Sequence, residues 1–273
     1  MKKIIATIVC TLCTFVICAQ LVWLSVDKQP FAGTYSRNYH QLFTTWQNQA
    51  ALAYLPAPAA GVSTERRFML AAISTHRGAV AIPVTNGGFG LQLAQSGFPD
   101  FRRQSLGLAY GRKLGERLSM GLQMNYISQM IPGYFKVHAF VAEWGCLFHL
   151  TRQLHAGLHV FNPAGMRLKS LSDEQVPVIY SAGIGYEISP VFLLSAAVVK
   201  ETAADLLTKV MCEYRIIPAL SLQLGICTVP QLNTAALGLT VGQLYFLLTA
   251  SHHPQLGVTP SGTVVWHLKK HSL

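Results

Sequence analysis

This chain contains few charged residues. Asp, Glu, Lys and Arg together make up 12% of its 273 residues, about half of the roughly 25% that is usual in soluble domains. Hydrophobic residues make up 51%. The chain is long enough for one large domain, and water is not expected to be its only solvent.

Negative charge is the scarcer sign, with 11 acidic against 21 basic residues and a net charge of +10. The basic residues cluster at predicted turns rather than along one helical face, as at Arg102 to Arg103, Arg112 to Lys113 and Lys269 to Lys270. A basic rim facing phosphate-rich lipid headgroups explains this pattern at least as well as nucleic acid would. No nucleic-acid motif is present, and we expect no nucleic-acid partner.

Cysteine is too sparse to build a framework. Three of the six cysteines lie within the first 18 residues, which leaves Cys146, Cys212 and Cys227. An odd and widely scattered set of this kind is not a disulfide framework. No CxxC motif and no Cys/His pair has metal-ligand spacing, so we expect neither a metal nor any other cofactor.

Long apolar runs are confined to the N-terminus. Lys2 and Lys3 precede an uncharged stretch, Ile4 to Val26, and a small residue, Ala19, offers a cleavage point. This pattern predicts a secretory signal peptide over residues 1–19, with an uncleaved anchor helix as the alternative. After Val26 no run of 18 apolar residues follows, so a helical inner-membrane protein is the weaker interpretation.

What the chain does have is an alternation with a period of two residues, from about Gly61 to Leu268. In the stretch 118–128 apolar and polar side chains alternate, which in a strand places them on opposite faces. We count fourteen candidate strands, most with the ~9–11 residues that a tilted membrane-spanning strand needs. They lie near 61–72, 77–84, 88–95, 103–111, 117–128, 138–150, 154–162, 177–187, 191–200, 206–215, 219–227, 232–240, 243–251 and 262–268.

The predicted connections alternate between short and long. Every even-numbered connection is short, whereas the odd-numbered ones include 96–102, 129–137, 162–176 and 252–261. Bacterial outer-membrane barrels keep their periplasmic turns short and let their extracellular loops grow. The pattern therefore predicts an exported barrel in the bacterial outer membrane with both chain ends on the periplasmic side.

The few charges in the strands share the polar parity. A Lys or Arg facing hydrocarbon at mid-depth costs about 2–4 kcal/mol, so this parity should face a lumen. We predict an all-β, transmembrane antiparallel β-barrel over residues 61–269, preceded by an N-terminal plug or periplasmic segment over residues 20–60. The lumen-facing polar candidates are Glu143, His155, His159, Glu187, Lys209, Glu213 and Arg215.

Glycines share that polar parity. Glycine in a strand marks the close approach of another group, which fits a lumen partly filled by side chains or by the plug. The glycines are Gly90, Gly107, Gly121, Gly157, Gly183, Gly185, Gly225 and Gly238.

The sequence offers few candidates for metal-binding or catalytic residues. His155 and His159 would share one face of a helix as metal ligands, but on a strand they are lumen-facing neighbours, which is the interpretation we favour. Inward-pointing serines occur, yet none lies in a nucleophile-elbow setting and no local spacing places an acid beside a histidine. We therefore expect no catalytic site and no enzyme.

Short phrases resemble a known group of proteins. Asn48-Gln49-Ala50 precedes the first strand, 159–163 (HVFNP) enters a long connection, and 253–257 (HPQLG) comes before the last strand. With the fourteen strands, these features resemble Bacteroidota outer-membrane barrels of the FadL/PorV/PorQ kind. The resemblance implies that FadL-like members carry hydrophobic compounds through a lateral opening and that PorV-like and PorQ-like members serve the type IX secretion system.

From this resemblance we expect an integral outer-membrane component, either associated with type IX secretion or structural. The alternative is a FadL-like channel for small hydrophobic compounds. The expected partners are outer-membrane lipids and lipopolysaccharide, together with other secretion-system components.

Overall fold

A closed barrel accounts for most of the chain. The computed structural model describes residues 32–98, 100–167, 176–202, 204–229 and 231–268. Each of its fourteen strands pairs antiparallel with its neighbour in the chain, and the first pairs with the last. The predicted fold class is thus confirmed. The predicted signal peptide, residues 1–19, and the first part of the predicted plug segment lie outside the described residues.

The strands run from Ala59 to His267, so the barrel begins two residues before the predicted start at Gly61. We call the end of the barrel where the first strand begins the base, and the opposite end the rim. The strands are β1 (Ala59–Arg66), β2 (Ser74–Val84), β3 (Gly87–Phe98), β4 (Phe101–Lys113), β5 (Leu118–Ile131), β6 (Phe135–His149), β7 (Leu154–Phe161), β8 (Ile179–Ser189), β9 (Phe192–Glu201), β10 (Leu206–Ile217), β11 (Leu220–Cys227), β12 (Leu232–Val241), β13 (Leu244–His253) and β14 (Gly257–His267).

Two predicted strand limits differ from the structure by five or more residues. The first strand ends at Arg66 rather than at residue 72, because Phe68 and Met69 adopt positive φ angles of 50° and 62°. That left-handed conformation breaks an extended ladder. The last strand begins at Gly257 rather than at residue 262.

Three of the four connections predicted to be long are short, because the strands on both sides extend further than the pattern indicated. β3 ends at Phe98 and β4 begins at Phe101, and only residues 132–134 and 254–256 separate the strands at the next two places, whereas β7 ends at Phe161 and β8 begins at Ile179, so that connection is long. The orientation of the chain ends relied on these loop lengths, so it stays a prediction.

The outer face of the barrel is apolar. Leu108, Leu122 and Leu248 are more than 60% exposed, and each lies on the outward parity of its strand. No helix in the described part of the chain is long and apolar enough to cross a bilayer. A closed ring of strands leaves no unpaired strand edge, and its apolar outer face is compatible with the hydrocarbon core of a bilayer. The barrel therefore spans a membrane.

The interior of the base is filled by the segment before β1. Residues 32–58, which we call the plug, contain three short 3₁₀ helices, Ala32–Tyr35, Leu42–Trp46 and Gln49–Tyr54. Asn48 begins the third helix by accepting a hydrogen bond from the backbone N–H of Ala50. The plug residues Leu42, Phe43, Leu52 and Leu55 form one buried cluster with inward alanines of β1, β2 and β4. The barrel therefore has its hydrophobic core where the plug meets the wall.

Candidate functional site

Glycines on the inner wall form the seat of the plug. The Tyr35 ring lies against Gly157 and Gly183, and a Cβ atom added to Gly157 would lie 2.7 Å from the ring. Leu52 lies against Gly88 and Gly90 in the same way. The prediction that lumenal glycines mark close approach to the plug is confirmed for Gly90, Gly121, Gly157, Gly183 and Gly185.

The remaining predicted glycines do not face the plug, and some glycines that were not predicted do. Gly107, Gly225 and Gly238 face side chains of the barrel itself rather than the plug. Gly111 and Gly145 also contact the plug, although the sequence did not single them out. Both lie on the inward parity of their strands, as the five plug-facing glycines do. The same alternation in the sequence would therefore have identified them.

Glu187 on β8 holds the first part of the plug. Its carboxylate accepts hydrogen bonds from the backbone N–H groups of Arg37 (2.6 Å) and Asn38 (3.1 Å) and from the Asn38 side-chain amide (2.6 Å). His155 Nε2 lies 3.2 Å from the same carboxylate. A single buried acid therefore satisfies donors of two consecutive plug residues and lies beside a histidine of the wall.

Arg215 on β10 contacts the next part of the plug. Its guanidinium carbon lies 3.8 Å from the centre of the Tyr39 ring, and Nη2 donates to the Asn38 carbonyl at 3.0 Å. Glu213 is buried two residues earlier and accepts a hydrogen bond from Gln223 at 3.0 Å. Lys209 is half-buried on the same strand, in register with Cys227. The structure thus places Glu213 and Arg215 near the plug and Lys209 further along the wall.

Glu143 on β6 holds the third helix of the plug. It accepts hydrogen bonds from the Gln49 side chain (2.6 Å) and the Asn125 side chain (2.8 Å). His159 Nε2 lies 2.8 Å from the same carboxylate. All four residues are buried, so plug and wall share one polar network across β5, β6 and β7.

The two candidate histidines belong to separate clusters. His159 contacts Glu143, whereas the Nδ1 atom of His155 lies 2.9 Å from that of His149. Within the described residues no group of three or more His, Cys, Asp or Glu is arranged to hold a metal ion. The structure therefore brings each histidine to an acid that contacts the plug.

Aromatic stacking continues the His149 cluster into the plug. The Tyr54 ring meets the His149 ring edge-on at 4.8 Å and stacks on the His40 ring at 5.4 Å. His40 lies in the plug, and burial lowers its pKa to about 3. His40 is therefore neutral at physiological pH and packs as an aromatic ring.

Asn48 contacts the barrel wall. In the sequence it is marked only as part of the phrase Asn48-Gln49-Ala50. Its side-chain amide donates to two wall carbonyls, Cys146 O at 3.0 Å and Leu158 O at 3.2 Å. These carbonyls lie opposite each other on β6 and β7. Asn48 therefore ties the plug to both strands at once.

A lumenal cavity of about 60 Å³ lies on the rim side of the plug. Trp46 of the plug lines it together with residues from β2 to β7. One part of the lining is polar, and there Arg77 Nη1 and Nη2 both lie 3.1 Å from Glu65 Oε2. The apolar part of the lining consists of Trp46, Ala94, Ile127 and Phe161. Nothing in the sequence pattern pointed to this cavity.

Among the described residues, the wall beside the cavity is lower than elsewhere. The β6–β7 ladder ends at the pair Glu143–Phe161, although β6 begins at Phe135, so residues 135–142 extend past the end of β7. We call this place the side notch. Asn162 ends β7 with a φ angle of 55°, and its side-chain amide donates to the Val176 carbonyl at 2.7 Å.

The inner side of the notch is apolar and meets the cavity. Val137, Ala139 and Val141 of β6 form one buried cluster with Phe161 and Ile127. Glu143 and Phe161 also line the cavity. The cavity thus reaches the wall where β7 stops.

Comparison with known proteins gives structural matches and no sequence matches. No family model and no curated protein matches the chain. The structure is similar to the Ralstonia pickettii toluene transporter TbuX, with a TM-score of 0.63 and 9% identity over 90% of this chain and 100% of that one. It is also similar to a Pseudomonas aeruginosa FadL homologue (TM-score 0.63, 9% identity, 87% of this chain and 96% of that one) and to the CymD monoaromatic hydrocarbon channel (TM-score 0.60, 10% identity, 85% and 94%). At these identities the likeness establishes the fold, so the FadL part of the expected resemblance is confirmed for the architecture: the chain has the barrel fold of FadL-type channels.

Proposed function

We propose that this protein is a non-catalytic outer-membrane passage for small hydrophobic compounds that carry a polar group. The observation that supports this most is the cavity between the plug and the side notch. It encloses about 60 Å³, which is room for a few water molecules, so passage of a compound requires the plug or the wall at the notch to move. The similar solved structures, described as a toluene transporter and a hydrocarbon channel, favour a FadL-like channel over the type IX role expected first.

The straight path through the base is occupied by the plug. Its helices contact β1 to β10, and its buried cluster continues to Ala236, Leu247 and Val265 on the remaining side. A compound in the cavity therefore meets the plug below it and the low wall beside Phe161. The route that these contacts support runs from the rim into the cavity and out sideways through the notch into the bilayer.

The mixed lining of the cavity defines the class of compound. Trp46, Ile127 and Phe161 offer apolar surface, whereas Gln92 and Arg103 add polar side chains. A polar or charged group loses hydration when an apolar molecule displaces the water beside it, so a pure hydrocarbon fits this lining less well than a molecule with an oxygen acceptor at one end.

Filling the cavity should stop uptake. Ala94 on β3 lines the cavity, and Ala94→Trp places a large ring in it. The matched control is Phe89→Trp on the outward face of the same strand, where Phe89 is exposed. In cells that produce the protein in their outer membrane, we expect uptake of the dye Nile red, which has a carbonyl acceptor at one end, above that of cells without it. Ala94→Trp should return uptake to that baseline, and Phe89→Trp should not.

The same assay separates the two candidate functions. If cells with the wild-type protein take up the dye no faster than cells without it, the passage is wrong. The type IX-associated or structural role in a Bacteroidota outer membrane then becomes the better proposal, since a plug held by Glu143, Glu187 and Arg215 also suits a scaffold. Heat-modifiable gel migration checks that each variant barrel is folded.

A further inference from the structure

The outer face of the barrel carries a row of polar side chains where hydrocarbon-facing residues are otherwise apolar. The row crosses β1 to β6 in continuous register, two or three residues from the rim end of each strand. Thr64 Oγ1 lies 3.2 Å from His76 Nδ1, and the Gln104 amide donates to Gln95 at 3.2 Å. We call it the outer polar row, and it comprises Thr64, His76, Gln95, Gln104, Ser128 and His138.

Positive charge lies one step closer to the rim on the same face. Arg66, Arg102 and Lys136 are exposed, and each is two residues from a member of the outer polar row. No Asp or Glu has outward parity in the described strands β1 to β6, since Glu65 and Glu143 both point into the lumen. This part of the outer surface therefore attracts anions.

Below the outer polar row the wall has a groove. Gly78 on β2 lies between Val62 on β1 and Leu93 on β3, and the groove of about 740 Å³ there also touches Gln104 and Tyr126. A second groove of about 400 Å³ shares Val62, Gly78 and Leu93 with the first and continues to Trp266. Together they form one channel along the outer wall, polar at the rim end and apolar over the rest.

The missing side chain at Gly78 is not explained by protein packing. A Cβ atom there would meet only Leu93 Cβ, at 3.9 Å. The lumenal glycines contrast with this, because each one at the plug faces plug atoms at shorter distances. Gly78 thus keeps the groove open on the membrane side, where the neighbouring molecules are lipids.

We propose that this groove binds one lipid of the leaflet at the rim, with a phosphorylated headgroup. An acyl chain lies along Gly78 towards Trp266, and the carbonyl and hydroxyl oxygens of the lipid meet the outer polar row. The phosphate lies between Arg66 and Arg102, whose strands are separated by β2 and β3 and hence by about 14 Å at the usual strand spacing. With the rim at the cell surface, as the predicted orientation has it, this lipid is lipopolysaccharide, and its binding is independent of the proposed passage.

The groove can be filled and the rim neutralised separately. Gly78→Leu fills the groove with a side chain that the lipid-facing wall tolerates, and Val84→Leu on the outward face of β2 is its matched control. Arg66→Gln combined with Arg102→Gln removes the charges without touching the groove. Native mass spectrometry of the full chain in detergent, with diphosphorylated lipid A and phosphatidylcholine as probes, counts the lipid that stays bound.

We expect one lipid A per wild-type barrel and for Val84→Leu, and little for Gly78→Leu. The double arginine variant should bind lipid A about thirtyfold more weakly, since a basic residue near the membrane contributes roughly fivefold, and should bind phosphatidylcholine unchanged. The proposal is overturned if Gly78→Leu retains lipid A like wild type, or if lipid A and phosphatidylcholine bind equally well to wild type. A stoichiometric protein on this face, in place of lipid, overturns it as well.

Discussion

Gly183→Val is expected to expel the first part of the plug while leaving the barrel folded. Valine suits a strand, and Gly183 lies in the middle of β8, so the ladder survives. The new Cβ atom falls on the Tyr35 ring, which Gly157 confines on the other side. Because the ring cannot move aside, the cost should exceed the ~1–3 kcal/mol of ordinary overpacking. Trypsin cleavage after the exposed Arg37 should become at least roughly tenfold faster as residues 32–41 detach.

A second substitution makes this expectation specific. Tyr35→Ala removes the ring that clashes, so Gly183→Val combined with Tyr35→Ala should protect Arg37 better than Gly183→Val alone. The equivalent pair at Gly185 should show no rescue, because a Cβ atom there meets the Tyr35 backbone carbonyl rather than its ring. If Tyr35→Ala rescues both glycine variants equally, or neither, the seat is not built as described.

The strands could be predicted from the sequence because each face of the barrel wall restricts which side chains it accepts. Hydrocarbon outside excludes charge, and the plug inside requires small or polar side chains. The prediction 117–128 and the observed β5, Leu118–Ile131, agree for that reason. The end of β1 was missed because residues 67–73 are mostly apolar and contain no Gly or Pro to mark the turn that Phe68 and Met69 make.

Strand ends at the rim were missed for a related reason. Arg102, Gln129 and His252 were assigned to loops because they are polar, yet they lie within strands. Near the rim the outward side chains leave the hydrocarbon, so the alternation loses its contrast there. Loop lengths were therefore overestimated at that end of the barrel.

The candidate site could be predicted only in part. Parity marks Glu143 and Glu187 as lumenal, but Asn38 precedes Glu187 by 149 residues in the chain, and no local spacing links them. His155 and His159, four residues apart, contact different acids. Which inward residues meet depends on the register of all fourteen strands, and register is fixed by the assembled barrel rather than by any one segment.

Glu187→Ala is expected to loosen the first part of the plug more than any other removal of a single charge. The substitution leaves the backbone N–H groups of Arg37 and Asn38 and the Asn38 amide without their acceptor, and it removes the carboxylate 3.2 Å from His155 Nε2. Hydrogen bonds to a charged group contribute about 1.5–3 kcal/mol each, and breaking a buried charged contact costs about 3–5 kcal/mol. Hydrogen exchange measured by mass spectrometry should therefore speed up by roughly a hundredfold or more over residues 32–41.

The matched control is Glu116→Ala, which removes an exposed acid from the β4–β5 turn and should leave that exchange unchanged. Glu187→Gln should fall between the two, since an amide keeps one acceptor oxygen but cannot satisfy all the donors. The effect should also be local, because Asn48 and Gln49 remain bound to β6 and β7 through Cys146, Leu158 and Glu143. If hydrogen exchange over residues 49–54 becomes faster to the same extent, the plug detaches as one unit and Glu187 alone holds it in place.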